Sequence, residues 1–529
     1  MSLLILAAPS VVAVTLVVAA SDSLDPTRAD YQCTGVNDHV EIQAALDALP
    51  ATGGEVKLLD GTYNVEATIN LDFNQTLRGC GRNTILTTST TNLIFLSAVG
   101  GAGTEKTGIV IADLQIDGGA GSISDCGIYF EYVDYSFIQD VYSRRHNASP
   151  GGIILCGIYL ENSDFNQIVN NTCQGNGNFG IYLLVGNNNT VSGNICQGNA
   201  WSGIYFLGNL NTGSGNVCQD NDQNGISIGG NNNSIVSNIC QGNGLSGIYL
   251  SNSVANIITS NTCQGNNING IYLTFSSNNN VISSNTCQGN NDHGIRLESS
   301  DHNAIVSNTC TENSQAISNN YDDISLSLSD YNNIQGNTCR AGALDNKPRY
   351  GINISDASCD GNLVTNNNLY NDGFGTAAFN DAGTGTKLAV YVVPFSDGSD
   401  YQDSGFLIDA DTEYARAWLR LPPEVQQVVR IKIYARAVAA SGTTMALEIN
   451  VNGGADNEAF NTHATAAPNT PSTSTNFAAD DVIYWTLTSA EIVALVGGDS
   501  IEIKVLHEAA NAGGVTTDAY LRTVEIEYQ

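Results

Sequence analysis

The chain has 529 residues, 19 basic against 52 acidic, and a formal net charge of −33. That balance argues against nucleic acid and anionic membrane surfaces as partners, because both call for a basic face. Charged residues make up only 13%, which excludes the dense acidic coat of a halophilic protein, and the length leaves room for two large parts.

In chain order, Met1–Ala20 is apolar, with small residues before Ser21 in the manner of a secretion signal. Its first residues carry no Lys or Arg, and the alternation Val12-Ala13-Val14-Thr15-Leu16-Val17 suits a strand, so a strand or cap is favoured over residues 1–30. A membrane-spanning helix fits less well, because Pro9 and the β-branched run shorten the stretch. Asp38-His39-Val40-Glu41 has capping-box spacing and predicts an amphipathic helix from Ile42 to Leu49 that stops at Pro50.

From Asn171 a phrase repeats: Asn-x-Cys-Gln-Gly-Asn, a few variable residues, then Gly-Ile-Tyr-Leu. The cysteines Cys173, Cys196, Cys218, Cys240, Cys263, Cys287 and Cys310 follow one another by 22 to 24 residues. The Gly-Ile pairs at Gly157, Gly180, Gly203, Gly225, Gly247, Gly270 and Gly294 keep the same beat. A period in the low twenties marks a solenoid. Within each period Ile and Leu stand two apart with Tyr between them, which is strand alternation, and helix-length apolar runs are absent. Each period is therefore one coil of a parallel β-helix, its short strands joined by Asn, Gly and Ser turns that supply left-handed backbone angles. The step from Gly127 to Gly157 is 30, an excursion around Ser143-Arg144-Arg145-His146; Ile295, Ile324 and Ile352 mark two further long coils.

The segment DHVEIQAALDALPATGGEVKLLDGTYNV, followed by INL and QTLRGCGRNTIL, resembles the opening of pectate-lyase-like right-handed parallel β-helix proteins. That superfamily includes polysaccharide lyases, epimerases and phage tail spikes. The resemblance spans roughly residues 30–371 and implies a right-handed helix whose first coil is capped by the short α-helix. It speaks for fold, not for activity. The expected architecture is all-β: a β-helix over 31–370, a Gly/Ala/Thr/Asp-rich linker over 371–387, and a C-terminal domain over 388–529. There the texture changes to longer alternating strands, such as Val428–Tyr434, Ser500–Val505 and Tyr520–Tyr528. These suggest an antiparallel, jelly-roll-like sandwich, with a short helix at Ser489–Val496.

Cysteines one coil apart in register stand about 4.8 Å apart with side chains pointing the same way, a poor geometry for disulfides. They are expected as an inward ladder of free thiols; a Cys33–Cys80 pair is left open. No Cys-x-x-Cys motif or histidine cluster points to a metal, the Asn columns lack the carboxylates that calcium needs, and no cofactor is expected. Tyr159, Tyr182, Tyr205, Tyr249 and Tyr272, all following Gly-Ile, form an outward column interrupted at Ser227 and Arg296. This column either contacts carbohydrate or a neighbouring subunit, or merely supports adjacent strands at ~0.2–1 kcal/mol per pair. Candidate catalytic residues sit on the irregular coils: Asp292, His293, Glu298, Asp322, Asp323 and Asp345. Paired carboxylates hydrolyse glycosidic bonds, and a base on a rigid face serves a lyase or epimerase. Arg144, Arg145 and His146 are candidates for holding an acidic sugar.

Coils this regular leave few places for a catalytic groove. The favoured reading is a structural surface protein, extracellular or on a virion: a spike, fibre or decoration subunit, homotrimeric, with virion proteins and cell-surface polysaccharide as partners. A polysaccharide lyase, glycosidase or epimerase is the alternative, and a bacterial adhesin the next.

Overall fold

A computed structural model describes residues 14–119, 124–147, 155–342, 346–370 and 374–386, and beyond these the backbone of a set of C-terminal strands. The chain divides into two compact units, Met1–Asn362 with Leu369–Thr384, and Leu363–Asn368 with Gly385–Gln529.

Residues 14–386 form three long parallel sheets, of fifteen, thirteen and thirteen strands among the described residues. Each coil contributes one strand to each sheet, as in Ile181–Leu184, Thr190–Ser192 and Ile195–Gln197. Pairing is in register from coil to coil: Ile181 opposes Ile204 and Cys196 opposes Cys218. The architecture is a parallel β-helix. We name two of its sheets by their repeated residues, the tyrosine sheet and the cysteine sheet. Ile158, Ile181, Ile204, Ile226, Ile248 and Ile271 stack inside the tyrosine sheet with no exposed surface, each worth about 1.5–3 kcal/mol of burial.

The corners explain the abundance of Asn and Gly. At the corner before the cysteine sheet, Asn170, Gly193, Gly215 and Ser237 all have φ between 56° and 66°, a left-handed angle that few other side chains tolerate cheaply. Beside this bend runs a column of buried amides. Asn194 accepts the backbone N–H of Asn171 at 2.8 Å and its side-chain amide at 3.0 Å. It donates in turn to the Ile168 carbonyl at 2.8 Å and to Asn216 at 3.0 Å. Related columns run at two other corners: Asn211 accepts the Asn189 backbone N–H, and Asn221 accepts both the backbone N–H and the side-chain amide of Asn199. Buried polar groups cost stability unless bonded, and here each coil satisfies the next.

The cysteine ladder is as expected: Cys173, Cys196, Cys218, Cys240, Cys263, Cys287, Cys310 and Cys339 are buried, paired in register and free. Burial holds the Cys196 thiol well above its ordinary pKa and pushes Cys156 up to about 12. Cys33 and Cys80 are also free, the first buried and the second exposed. In the native protein a thiol reagent is therefore expected to label Cys80 quickly, and unfolding without reductant should release the rest of the thirteen. Recovery of only a few would mean that bridges exist.

The N-terminal helix differs in detail from its expected form. It runs His39–Asp47 and buries Ile42, Ala45 and Leu46, so it begins three residues earlier. No capping box forms, because both Asp38 oxygens are taken by the backbone N–H groups of Gly35 and Asn64 at 2.8 Å. Val14–Ala19 is a strand, parallel to Gly54–Leu58. The stretch expected as linker carries a further strand, Ala377–Asp381, parallel to Tyr350–Ile354; its small Ala378 fits under the last coil, 6% exposed. Among the described residues no helix is long and apolar enough to cross a membrane.

From Ala389 onward the described strands pair antiparallel in two sheets. One is centred on Ala519–Tyr528 and Val428–Ala437, the other on Tyr414–Arg420, Ser500–His507 and Leu447–Gly454. The segment Ser489–Val496, expected as a helix, lies outside the described residues.

Candidate functional site

The outer face of the tyrosine sheet carries the most organised surface chemistry. One outward row runs, in register, through Tyr129, Tyr159, Tyr182, Tyr205, Ser227, Tyr249, Tyr272, Arg296, Ser325 and Asn353. The first four rings stack at 5.2, 5.1 and 5.3 Å between centroids. Tyr249 and Tyr272 stand 5.6 Å apart and tilted by 49°. The column is less open than alternation alone predicts. Tyr182, Tyr205, Tyr249 and Tyr272 are half-buried, and Tyr159 is only 3% exposed. Cys156, on the excursion, and Phe179 pack with Tyr159 in one cluster, which outward alternation does not reveal. Glu161 accepts the Tyr159 hydroxyl at 2.9 Å and the Tyr129 hydroxyl at 3.1 Å.

At the far end of the row lie the candidate catalytic residues. Asp292 is half-buried; burial raises its carboxyl pKa, against a hydrogen bond from Tyr321. His293 is buried, and its Nδ1 accepts the Asp322 backbone N–H at 3.0 Å, which leaves any ring proton on Nε2. Asp322 is buried and gripped by Arg349 through two bonds, of 3.0 and 2.9 Å, and by the Asn353 amide at 2.8 Å. Asp323 accepts the Asn313 amide at 2.7 Å and so terminates the amide column that passes through Asn290. Glu298 accepts the Tyr272 hydroxyl and sits 3.1 Å from Arg296. Asp345 lies outside the described residues. The structure thus brings together Asp292, His293 and Asp322. Tyr321 and Asn353, which hold this group together, are not marked out by residue type: Tyr321 lies outside the repeated phrases, and Asn353 occupies the tyrosine position of the last Gly-Ile phrase.

Arg144 and Arg145 both bond Asp117, and His146 is wedged between the hydroxyls of Ser124 and Ser143, at 2.9 Å each. All three are thus engaged within the excursion, with both arginines still partly exposed. Burial lowers His146 to about 3 and His293 to about 4, against ~6.5 in an unfolded chain. Between those limits the unfolded chain binds protons that the folded one refuses. The stabilisation is therefore complete above pH ~6.5 and lost as pH falls through about 4. Calorimetric Tm values are expected to decline over this window, and His293→Asn to flatten the decline; an unchanged slope would contradict the assignment.

Among the described residues one group has metal-ligand spacing, Cys33, Asp38 and Glu41. Both Asp38 oxygens already accept backbone N–H groups, and burial raises the Cys33 thiol far from its thiolate form, so the group fits a metal poorly.

A family profile described as "Periplasmic copper-binding protein (NosD)" matches residues 81–239 and 208–318. No curated protein matches. Among solved structures, the A-module of mannuronan C-5 epimerase AlgE4 from Azotobacter vinelandii is 18% identical, covering 67% of this chain and 96% of that one, with a TM-score of 0.46. The Dettilon tailspike protein gp208 is 14% identical, covering 93% and 91%, at 0.48. Tailspike protein 3 of bacteriophage CBA120 is 11% identical, covering 66% and 58%, at 0.41. At such identities nothing of their activities passes to this chain. The sheet order and coil-to-coil registers stand without them: the chain folds as a parallel β-helix.

Proposed function

We propose that the chain is a surface protein of the spike or fibre type, whose β-helix is a stiff shaft that holds a polysaccharide along the tyrosine sheet without cleaving it. The supporting observation is the row of stacked tyrosines on a rigid, in-register face. Aromatic rings at a fixed repeat offer an apolar strip along which successive sugars can lie, and the carboxylates that hold the Tyr129, Tyr159 and Tyr272 hydroxyls add acceptors beside it. Binding without cleavage is supported by the engagement of two of the candidate carboxylates: Asp322 is paired with Arg349, and Asp323 closes an amide column. The N-terminal helix would cap the first coil. The C-terminal strands would form a sandwich that attaches or trimerises, giving a homotrimer on a virion or in the extracellular space.

Incubation of the purified protein with acidic and neutral polysaccharides is expected to give retention of a polysaccharide without shortened chains, and light scattering a mass three times that of one chain. Failure to retain any polysaccharide would overturn the reading. Shortened or epimerised chains would favour an enzyme instead. That second reading rests on Asp292, a half-buried carboxyl with a raised pKa beside a neutral histidine, the setting of a general acid. In that event Asp292→Asn should abolish the activity.

A further inference from the structure

The tyrosine column misses one ring. In the coil between Tyr205 and Tyr249 the outward position is Ser227, so two tyrosines stand two coil steps apart, roughly 10 Å along the axis. The gap is a real hollow of about 220 Å³, walled by Tyr205, Tyr249 and Trp201 and edged by the amides of Gln223 and Asn224. That is less than the ~300–1,000 Å³ of sites for drug-sized ligands: space for one ring, not for an oligomer.

Its parts are held in place. Ser227 is 6% exposed; its hydroxyl stands 2.9 Å from that of Ser202 and accepts the Asn224 amide at 3.2 Å. Asn224 accepts the Ser246 backbone N–H at 3.0 Å, which fixes which end of the amide turns to Ser227. Trp201 is 43% exposed, although Phe179 supports it edge-on at 5.1 Å. An indole held in this way presents an apolar face at the mouth of the hollow. No lining side chain is charged, in a chain of net charge −33.

We infer that this break in the column is a binding subsite for a neutral pyranose ring, which takes the place of the missing tyrosine. This rests on the polysaccharide-binding reading above and narrows it to a place and a sugar class. The ring's C–H faces would lie against Tyr205 and Tyr249, and its hydroxyls would meet Gln223, Asn224 and Ser227. A uronate would bring a carboxylate to a site with no cation to receive it, and burying an unpaired charge is disfavoured. Neutral or N-acetylated sugars are therefore selected over acidic ones.

The test uses the full chain, titrated with neutral hexasaccharides of glucose and of N-acetylglucosamine and with an oligogalacturonate hexamer, followed by calorimetry and tryptophan fluorescence. Ser227→Tyr fills the gap with the residue that its register neighbours already carry; because it also removes the hydroxyl that Asn224 and Ser202 bond, Tm is measured alongside, and Trp201→Ala, which leaves those bonds in place, is the second variant. A neutral hexasaccharide is expected to bind and perturb the fluorescence, Ser227→Tyr and Trp201→Ala to weaken binding at least tenfold, and oligogalacturonate to bind more weakly. Undiminished neutral binding in both variants, or a preference for oligogalacturonate, would overturn the subsite while leaving polysaccharide binding elsewhere on the sheet intact. If the unaltered chain retains no polysaccharide at all, the parent reading falls and the subsite with it.

Discussion

Asn216→Ala is expected to cost about 3–5 kcal/mol, because an orphaned buried donor or acceptor costs ~1–3 kcal/mol and this substitution orphans several. Asn216 is fully buried. Its Oδ1 accepts the Asn194 backbone N–H at 2.9 Å and the Asn194 amide at 3.0 Å, and its own amide donates to the Val191 carbonyl and to Asn238, both at 2.9 Å. Alanine leaves the Asn194 N–H and amide, the Val191 carbonyl and Asn238 Oδ1 in a buried corner without the partner they shared. The matched control is Asn209→Ala. Asn209 also accepts a backbone N–H one coil on, that of Asn231 at 2.7 Å, but it does so in solvent, where water substitutes and the cost should stay below ~1 kcal/mol. Urea titrations of both variants measure the difference, and equal costs would remove the buried amide columns from the list of forces that hold the coils together. Because each coil touches only its neighbours, the loss at Asn216 should also broaden the transition, as the two halves of the helix begin to unfold separately.

Ile248→Asp should be nearly as damaging, and Tyr249→Ser, one residue on, should not. Ile248 has no exposed surface and lies in register between Ile226 and Ile271. A carboxylate placed there has no cation and no donor, and it either stays charged at a cost of several kcal/mol or takes up a proton at a similar one. Tyr249 lies on the outer row, and serine in its place repeats what Ser227 already does one coil earlier. Losing one aromatic pair on a strand face is worth ~1 kcal/mol. Thermal melts of the two variants should therefore separate widely. Comparable shifts would mean that the two faces of this sheet have been assigned the wrong way round.

The two faces were legible in the sequence because a strand has a period of 2. Once Ile181, Ile204 and Ile226 are placed inside, Tyr182, Tyr205 and Ser227 must lie outside. The cysteine ladder and the amide columns follow from the same regularity, since a residue repeated at each coil must stack on its own copies. What the period could not say is how open the outer face is. Tyr159 is outward and yet 3% exposed, because the neighbouring Cys156 and Phe179 close over it, and the length of an excursion does not disclose where it folds back.

The candidate site divides along the same line. Asp292, His293, Asp322 and Asp323 could be picked out because the beat slows there and charge accumulates, but residue type does not say whether a carboxylate is free to react. Arg349, 27 residues beyond Asp322, claims both of its oxygens, and Asn313 reaches Asp323 across a turn. The first pairing joins separate coils, and both depend on where long loops return, which local pattern does not encode. Trp201 and Ser227 illustrate the reverse case: the missing tyrosine is plain in the sequence, but only the stacking of one coil on the next turns a missing side chain into a hollow with walls. By itself, then, the sequence determined the coil, its period and which residues face inward, because these are local and repeated. The tertiary structure alone decided which polar groups are already satisfied and which surface remains open, because both depend on contacts between segments that the repeat does not relate.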